Sequence, residues 1–274
     1  MAGEPTVLCV CLTADRHGMT ERAIRCFHSQ SYENKAMFIL DTGVEEFRYF
    51  QAHGIYGEYY PGWRIDQKRL GELRNDANEF AHPKCLNADI ICHFDSDDYS
   101  HPNRIAEQVA FLQSSGAAVV GYNQMLFWNT WGQRIEIPDP EDVTKTMSVN
   151  SFDNRGLAEA WLFTNPAHQP LGTSLCYWRS TWESHRFDDR KHAGEDSDFL
   201  ARVGHRRVKS VSSLADGLCH AGVDSVPREP RMIATVHGAN TQQKTYDGFF
   251  KGGTVEMKRV AQWDERVRQV LEGA

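Results

Sequence analysis

Four short, nearly continuous apolar runs fall within the first 121 of 274 residues, at 7–12, 36–40, 88–94 and 117–121. Apolar runs of this length without alternation read as parallel strands buried on both faces. The segments between them have helical period. Thr20 stands at a capping position ahead of Ala23, Ile24 and Phe27, and Leu70, Leu73, Ala77 and Phe80 share one face. Ser100 and Pro102 precede Ile105, Val109 and Leu112. Strand and helix alternate, so the sequence predicts an α/β fold with a mostly parallel, Rossmann-like central sheet flanked by helices.

Beyond residue 121 the pattern is mixed. Segments 125–128 and 134–138 flank Asn129-Thr130-Trp131-Gly132, which predicts a hairpin, and 139–156 reads as a polar surface loop. Strands are expected at 173–178, 208–212 and 231–236, and helices at 195–203 and 254–271. No internal repeat or flexible linker divides the chain. One domain spanning 1–274 is expected, with halves meeting near residue 121 and a C-terminal helix.

Charge and composition exclude some functions. With 30 basic against 37 acidic side chains the net charge is −7, and no basic block is present, which argues against tight non-specific nucleic-acid binding. The amino terminus lacks a basic and then apolar leader, and no apolar run approaches about 20 residues. A cytoplasmic protein without a membrane span is expected. The seven cysteines form no C-x-x-C pair, which disfavours zinc and disulfide readings.

In an open parallel sheet, ligands gather at the carboxyl ends of the strands. Thr13, Asp41 and Asp95 each follow a strand run, so three separate stretches deliver polar groups to one rim. Asp41 can accept hydrogen bonds from a base or ribose, or simply hold a turn. Asp95, Asp97 and Asp98 crowd three carboxylates into four positions. They either cap the next helix or share a divalent cation, Mn²⁺ or Mg²⁺, with a diphosphate. Glu195-Asp196 opens a helix; it either complements the helix dipole or supplies a general base. His237 ends the 231–236 strand, where an imidazole can complete a metal shell of oxygen ligands; His220 is a poorer candidate. Trp63, Trp128, Trp161, Trp178 and Trp182 offer flat surfaces for sugars or simply fill the core.

Taken in order, these residues resemble the inverting family 2 glycosyltransferases of the GT-A fold, from about Val7 to Thr241. The likeness rests on Leu12-Thr13, Leu40-Asp41, Leu70-Gly71-Glu72-Leu73-Arg74-Asn75, the D-x-D-type run Asp95-Ser96-Asp97-Asp98, Gly194-Glu195-Asp196, and His237-Gly238-Ala239-Asn240-Thr241. It implies a nucleotide-sugar half (1–121) and an acceptor half (122–274). Thr13, Asp41 and Arg74 would contact the nucleotide, usually uridine diphosphate, and Asp95 the ribose and metal. Asp97 and His237 would hold the metal, and Asp98 would lie near the donor sugar. Asp196 would be the catalytic base, with Glu195 helping to hold the acceptor; apart from the resemblance, the flat ring of Trp178 makes it a further acceptor-binding candidate. The sequence departs from the family where Thr42-Gly43 follows Asp41 and where 54–65 is rich in Tyr, Gly and Trp. Two alternatives remain open: a nucleotidyltransferase acting on a sugar phosphate, whose triphosphate loop the Thr13–Gly18 stretch supplies only thinly, and a non-catalytic nucleotide-sugar-binding protein on the same scaffold.

Overall fold

The structure, a computed structural model, describes residues 3–48, 54–61, 68–84, 87–130, 134–138, 146–150, 158–165, 167–191, 193–214, 229–237 and 256–274. Strands β1 (Val7–Thr13), β2 (Lys35–Asp41), β3 (Ile55–Tyr59) and β4 (Ile90–His93) lie in the order β3-β2-β1-β4, all parallel. Successive side chains of a strand point to opposite faces, and here both faces are core. Cys9, Cys11, Met37, Ile39 and Cys92 pack beneath α1 (His17–His28) and α3 (Arg104–Ser115) through Ala23, Ile24, Phe27, Ile105, Val109 and Leu112. On the other face Leu8, Val10, Phe38, Leu40 and Ile91 meet Leu73 and Ala77 of α2 (Leu70–Lys84). Trp182 of α4 (Arg179–His185) and Phe199, Leu200 and Val203 of α5 (Glu195–Val203) complete that layer. Burial on both faces explains why the runs are continuously apolar; truncating one such side chain to alanine costs about 2–5 kcal/mol.

The second half is built on one long strand, β6 (Val119–Asn129). Its first residues pair with β10 (Cys176–Trp178), which enters antiparallel between β4 and β6, and with the parallel β11 (Val208–Ser212). From Gln124 onward it pairs with β9 (Glu159–Thr164), antiparallel, and then with β12 (Met232–Val236), parallel. The short β5 (Tyr99–Ser100) and β13 (Glu256–Arg259) edge β12 and β9. In this 11-stranded sheet β5, β9 and β10 run against the rest, which share one direction. The boundary expected near residue 121 falls inside β6.

Several sequence expectations are corrected. Residues 125–128 form no hairpin with 134–138. They continue β6, whose return strand is β9, while β7 (Arg134–Pro138) pairs with β8 (Thr146–Asn150) in a separate two-stranded sheet. Residues 146–150 are therefore strand rather than loop; 139–145 and 151–156 lie outside the described residues. The run 173–178 divides into a 3-10 turn (Gly172–Ser174) and β10. The expected 254–271 helix starts only at Asp264 (α6, Asp264–Gly273), because β13 and the Val260 N–H bonded to Ala160 O fasten the preceding residues to β9. Thr20 is not a cap: α1 begins at His17, and the Thr20 hydroxyl donates to Arg16 O within the first turn. Strand β3 escaped notice since only Ile55 of its residues is fully buried. No described helix is long and apolar enough to cross a membrane.

Candidate active site

The rim formed by the ends of β1, β2 and β4 carries the first candidates. Thr13 and Asp41 are register partners at the last positions of β1 and β2, and Asp95 lies two residues past β4. Thr13 Oγ1 is 2.7 Å from Thr20 Oγ1, which ties the rim to α1. Asp41 is buried, with Oδ1 accepting from Gly43 N at 2.9 Å and Oδ2 from Phe47 N at 2.7 Å. Burial raises its pKa against the pull of those two N–H groups. Of its two sequence readings, the geometry matches the turn-holding one. The next loop is interlocked with the one after β1: Asp15, in the left-handed region at φ 53°, accepts from Val44 N and Glu45 N. A Cβ on Gly43 would meet Asp15 N at 2.7 Å, so this departure from the family pattern answers a steric need.

A cavity of about 300 Å³ opens beside this rim. Its lining includes Arg16, Arg74, Asp95, Asp97, Asp98, Glu195 and Asp196, together with the apolar Leu171, Phe127, Phe163 and Ala234. The two acidic stretches, 95–98 and 195–196, thus line one cavity together with Arg16 and Arg74. Arg74, on α2, donates to both Asp95 oxygens at 3.3 and 3.4 Å and through Nε to Glu195 Oε1 at 3.4 Å. Burial works to lower the Arg74 pKa, but the two carboxylates outweigh it and the guanidinium is held charged. Burial works to raise Asp95, and Arg74 reverses it, holding that carboxyl at about 2.

Asp97 and Asp98 have other partners. Asp97 Oδ2 faces Arg16 Nη1 at 3.2 Å and His237 Nε2 at 3.1 Å, so the sequence-distant His237 is brought to the acidic run. Arg22, from α1, donates to Asp97 O at 2.6 Å and to Thr235 Oγ1 at 3.1 Å, clamping the run to β12. Asp98 accepts from Thr173 Oγ1 and from Thr235 N. Burial, then the charges of Asp97 and Asp95, push the Asp98 pKa up to about 8.

Glu195 and Asp196 enter from the first turn of α5, where Gly194 at φ 69° turns the chain. Glu195 is buried and its Oε2 has no hydrogen-bond partner among the described residues, although it lines the cavity. Burial raises its pKa. Asp196 lies directly over Gly172: a Cβ there would come within 2.8 Å of Asp196 Cγ. Gly172 O in turn accepts from His93 Nδ1 at 2.7 Å, which makes the other ring nitrogen an acceptor for Tyr177 OH at 3.2 Å. Burial and the nearby Arg74 lower the His93 pKa and keep the ring neutral.

One acceptor candidate is misplaced. Trp178 ends β10, and because β10 runs antiparallel to β4 its register partner is Ile90, at the far end of the sheet from Asp95. Its indole donates to Ala117 O at 3.2 Å and packs on the core, so it cannot reach the cavity. Trp128 and Trp182 are buried core residues; Trp63, His220 and residues 238–241 lie outside the described residues. The sequence reading missed Arg16, Arg22, His93, Gly172 and Thr173. Arg16 was findable, as the first cation after β1; the others have no sequence motif.

A divalent metal can be tested against these donors. Among the described residues no three His, Cys, Asp or Glu side chains are grouped to hold one, and Asp95 is turned to Arg74 instead of to Asp97 and His237. Asp97 Oδ2 and His237 Nε2, however, are 3.1 Å apart. Two adjacent ligands of an octahedral ion at 2.0–2.1 Å stand roughly 3.0 Å apart. Asp97 and His237 therefore fit as a two-ligand site whose remaining positions a diphosphate and water would fill.

The parallel β3-β2-β1-β4 block, the antiparallel insertion of β10 and the acidic rim define the GT-A fold of glycosyltransferases. Solved structures agree. S. aureus TarS 1–349 in complex with UDP-GlcNAc matches 88% of this chain and 61% of its own at TM-score 0.57 and 13% identity. Its complex with UDP matches 90% and 63% at 0.55 and 12%. The mannosyltransferase PcManGT from Pyrobaculum calidifontis, in complex with GDP-Man and Mn²⁺, matches 77% and 55% at 0.50 and 13%. The chain thus spans about 60% of the length of the TarS 1–349 chain. No protein-family model and no curated protein matches its sequence.

Proposed function

We propose that the protein is an inverting, metal-dependent glycosyltransferase that moves a sugar from a nucleoside-diphosphate sugar to an acceptor hydroxyl. The observation that carries this is the placement of Asp196: a carboxylate set against Gly172 in the same cavity as Asp95, Asp97 and Asp98, yet on a different element. That arrangement supports a reading in which Asp196 is the base and Asp95, Asp97 and Asp98 hold the donor. Uridine is the proposed base, on the sequence resemblance and on the UDP and UDP-GlcNAc held by TarS.

In this mechanism the nucleotide lies along the β1–β2 rim, where Thr13 and the loop anchored by Asp41 shape the base end. Arg74, oriented by Asp95, faces the nucleotide. Asp97 and His237 would hold Mn²⁺ or Mg²⁺, which when bound would offset negative charge on the leaving diphosphate. Asp98 would meet hydroxyls of the donor sugar, and Glu195 Oε2, which has no hydrogen-bond partner among the described residues, would meet those of the acceptor. Asp196 takes the acceptor's proton as that oxygen bonds to the anomeric carbon; the bond to the diphosphate breaks on the opposite face and the configuration inverts.

A panel of nucleotide sugars incubated with Mn²⁺ tests this without knowledge of the acceptor. Release of free nucleoside diphosphate is expected, whereas pyrophosphate release from nucleoside triphosphates would indicate a nucleotidyltransferase. Asp97→Ala should weaken metal-dependent donor binding. Asp196→Asn should spare binding and abolish transfer; wild-type transfer by that variant rules out Asp196 as the base.

A further inference from the structure

Arg16 is not among the residues that the family resemblance marks, yet its position is singular. It sits on the loop between β1 and α1 and lines both the large cavity and a smaller one of about 40 Å³ bounded by Thr13, Leu40 and Thr42. These two spaces are the sugar and base ends of the proposed donor path, so Arg16 stands where the diphosphate joins them. Its Nη1 is also 3.2 Å from Asp97 Oδ2, the same oxygen that faces His237 Nε2 at 3.1 Å. Both side chains are largely shielded, at 16% and 10% exposure.

Five carboxyl groups and two guanidinium groups line the large cavity. A diphosphate entering this lining brings more negative charge, and of the two cations Arg74 is already committed to Asp95 and Glu195. Arg16 is paired with Asp97 Oδ2, the oxygen a divalent ion would take. The ion and the guanidinium repel each other and compete for one ligand. A planar guanidinium released there can bind phosphate oxygens with two parallel N–H groups.

We infer that Arg16 is an exchangeable counter-cation: it neutralises Asp97 until the metal arrives with the donor, then turns to the diphosphate and becomes a donor-binding residue. This rests on the function proposed above. Metal and nucleotide binding become coupled through it, because the metal displaces Arg16 from Asp97 and the diphosphate then receives it.

The test compares wild type with Arg16→Gln and Arg16→Lys, measuring Mn²⁺ binding alone and UDP binding at saturating Mn²⁺ by calorimetry, with thermal melts as a folding control. Arg16→Gln should bind Mn²⁺ alone about tenfold more tightly and UDP·Mn²⁺ about tenfold more weakly, the scale of one charge-assisted hydrogen bond in each state. Arg16→Lys, which keeps the charge but not the fork, should restore weak Mn²⁺ binding and only part of the UDP affinity. If Arg16→Gln leaves Mn²⁺ binding unchanged or weakens it, Arg16 does not compete with the metal and the exchange is wrong. If it leaves UDP binding unchanged, the phosphate role is wrong. Wild type that binds neither Mn²⁺ nor UDP would instead overturn the glycosyltransferase proposal itself.

Discussion

Replacing Gly172 with alanine probes the proposed base without touching it. The added Cβ would stand 2.8 Å from Asp196 Cγ and 2.9 Å from Asp196 Cβ. Carbon atoms rest at about 3.5–4.0 Å, so the carboxylate must retreat by about 1 Å. Gly172 does not occupy the left-handed region, so its own dihedral angles accept alanine, and the cost is that of crowding against Asp196, about 1–3 kcal/mol. A 1 Å misplacement of a reacting group costs on the order of 100-fold in rate, or about 2.7 kcal/mol of barrier. The expected result is a kcat near one hundredth of wild type, with UDP affinity nearly unchanged and the melting temperature lowered only by that crowding. Combined with Asp196→Asn, the alanine should add nothing further, because the base it displaces is already gone. Turnover of Gly172→Ala within threefold of wild type would falsify the placement of Asp196 as base, and an equal loss of UDP affinity would move the clash to the donor side.

Other perturbations separate structural from chemical roles. Arg74→Ala removes the cation shared by half-buried Asp95 and buried Glu195 and should lower stability by about 3 kcal/mol, read as a shift in the urea midpoint. Asp98 carries a pKa of about 8 against an ordinary 3.8, so the folded state retains a proton the unfolded chain has released, and stability falls as pH rises between those values. The melting-temperature advantage of Asp98→Asn, measured in chelator, should therefore grow from about pH 4 to about pH 8 and level off above; a flat difference refutes the shift. Trp178→Phe loses one hydrogen bond to Ala117 O at the far end of the sheet and should leave transfer kinetics within twofold of wild type, whatever the acceptor.

Much of this architecture was legible because its causes are local. Leu8, Val10, Phe38 and Ile91 face one helical layer and Cys9, Met37, Ile39 and Cys92 the other, and a strand buried twice has no polar face to obscure its pattern. The convergence of Asp97 with His237 could be anticipated from strand ends. Pairing partners were less accessible: nothing in Met125–Trp128 says that its return strand is β9, thirty residues on, rather than the nearer β7. Trp178 failed for a related reason, since its location depends on the direction of β10, which three residues of sequence do not encode. His93, Gly172 and Thr173 act through one carbonyl, one missing side chain and one hydroxyl, and such contributions are visible only once the backbone places them against Asp196 and Asp98.

The partner exchange along β6 has a mechanical consequence. The same eleven-residue strand is bonded to β10 and β11 near its start and to β9 and β12 near its end, so it acts as a girder shared by both halves of the molecule. Thr235, on the strand bolted to its far end, grips Asp98 through its amide. Opening and closing about a hinge between the halves would have to bend or break that girder. Variation between the halves is therefore confined to the loops hung from that strand, which holds β12, and with it the Thr235 grip on Asp98, in fixed register with β9, β10 and β11.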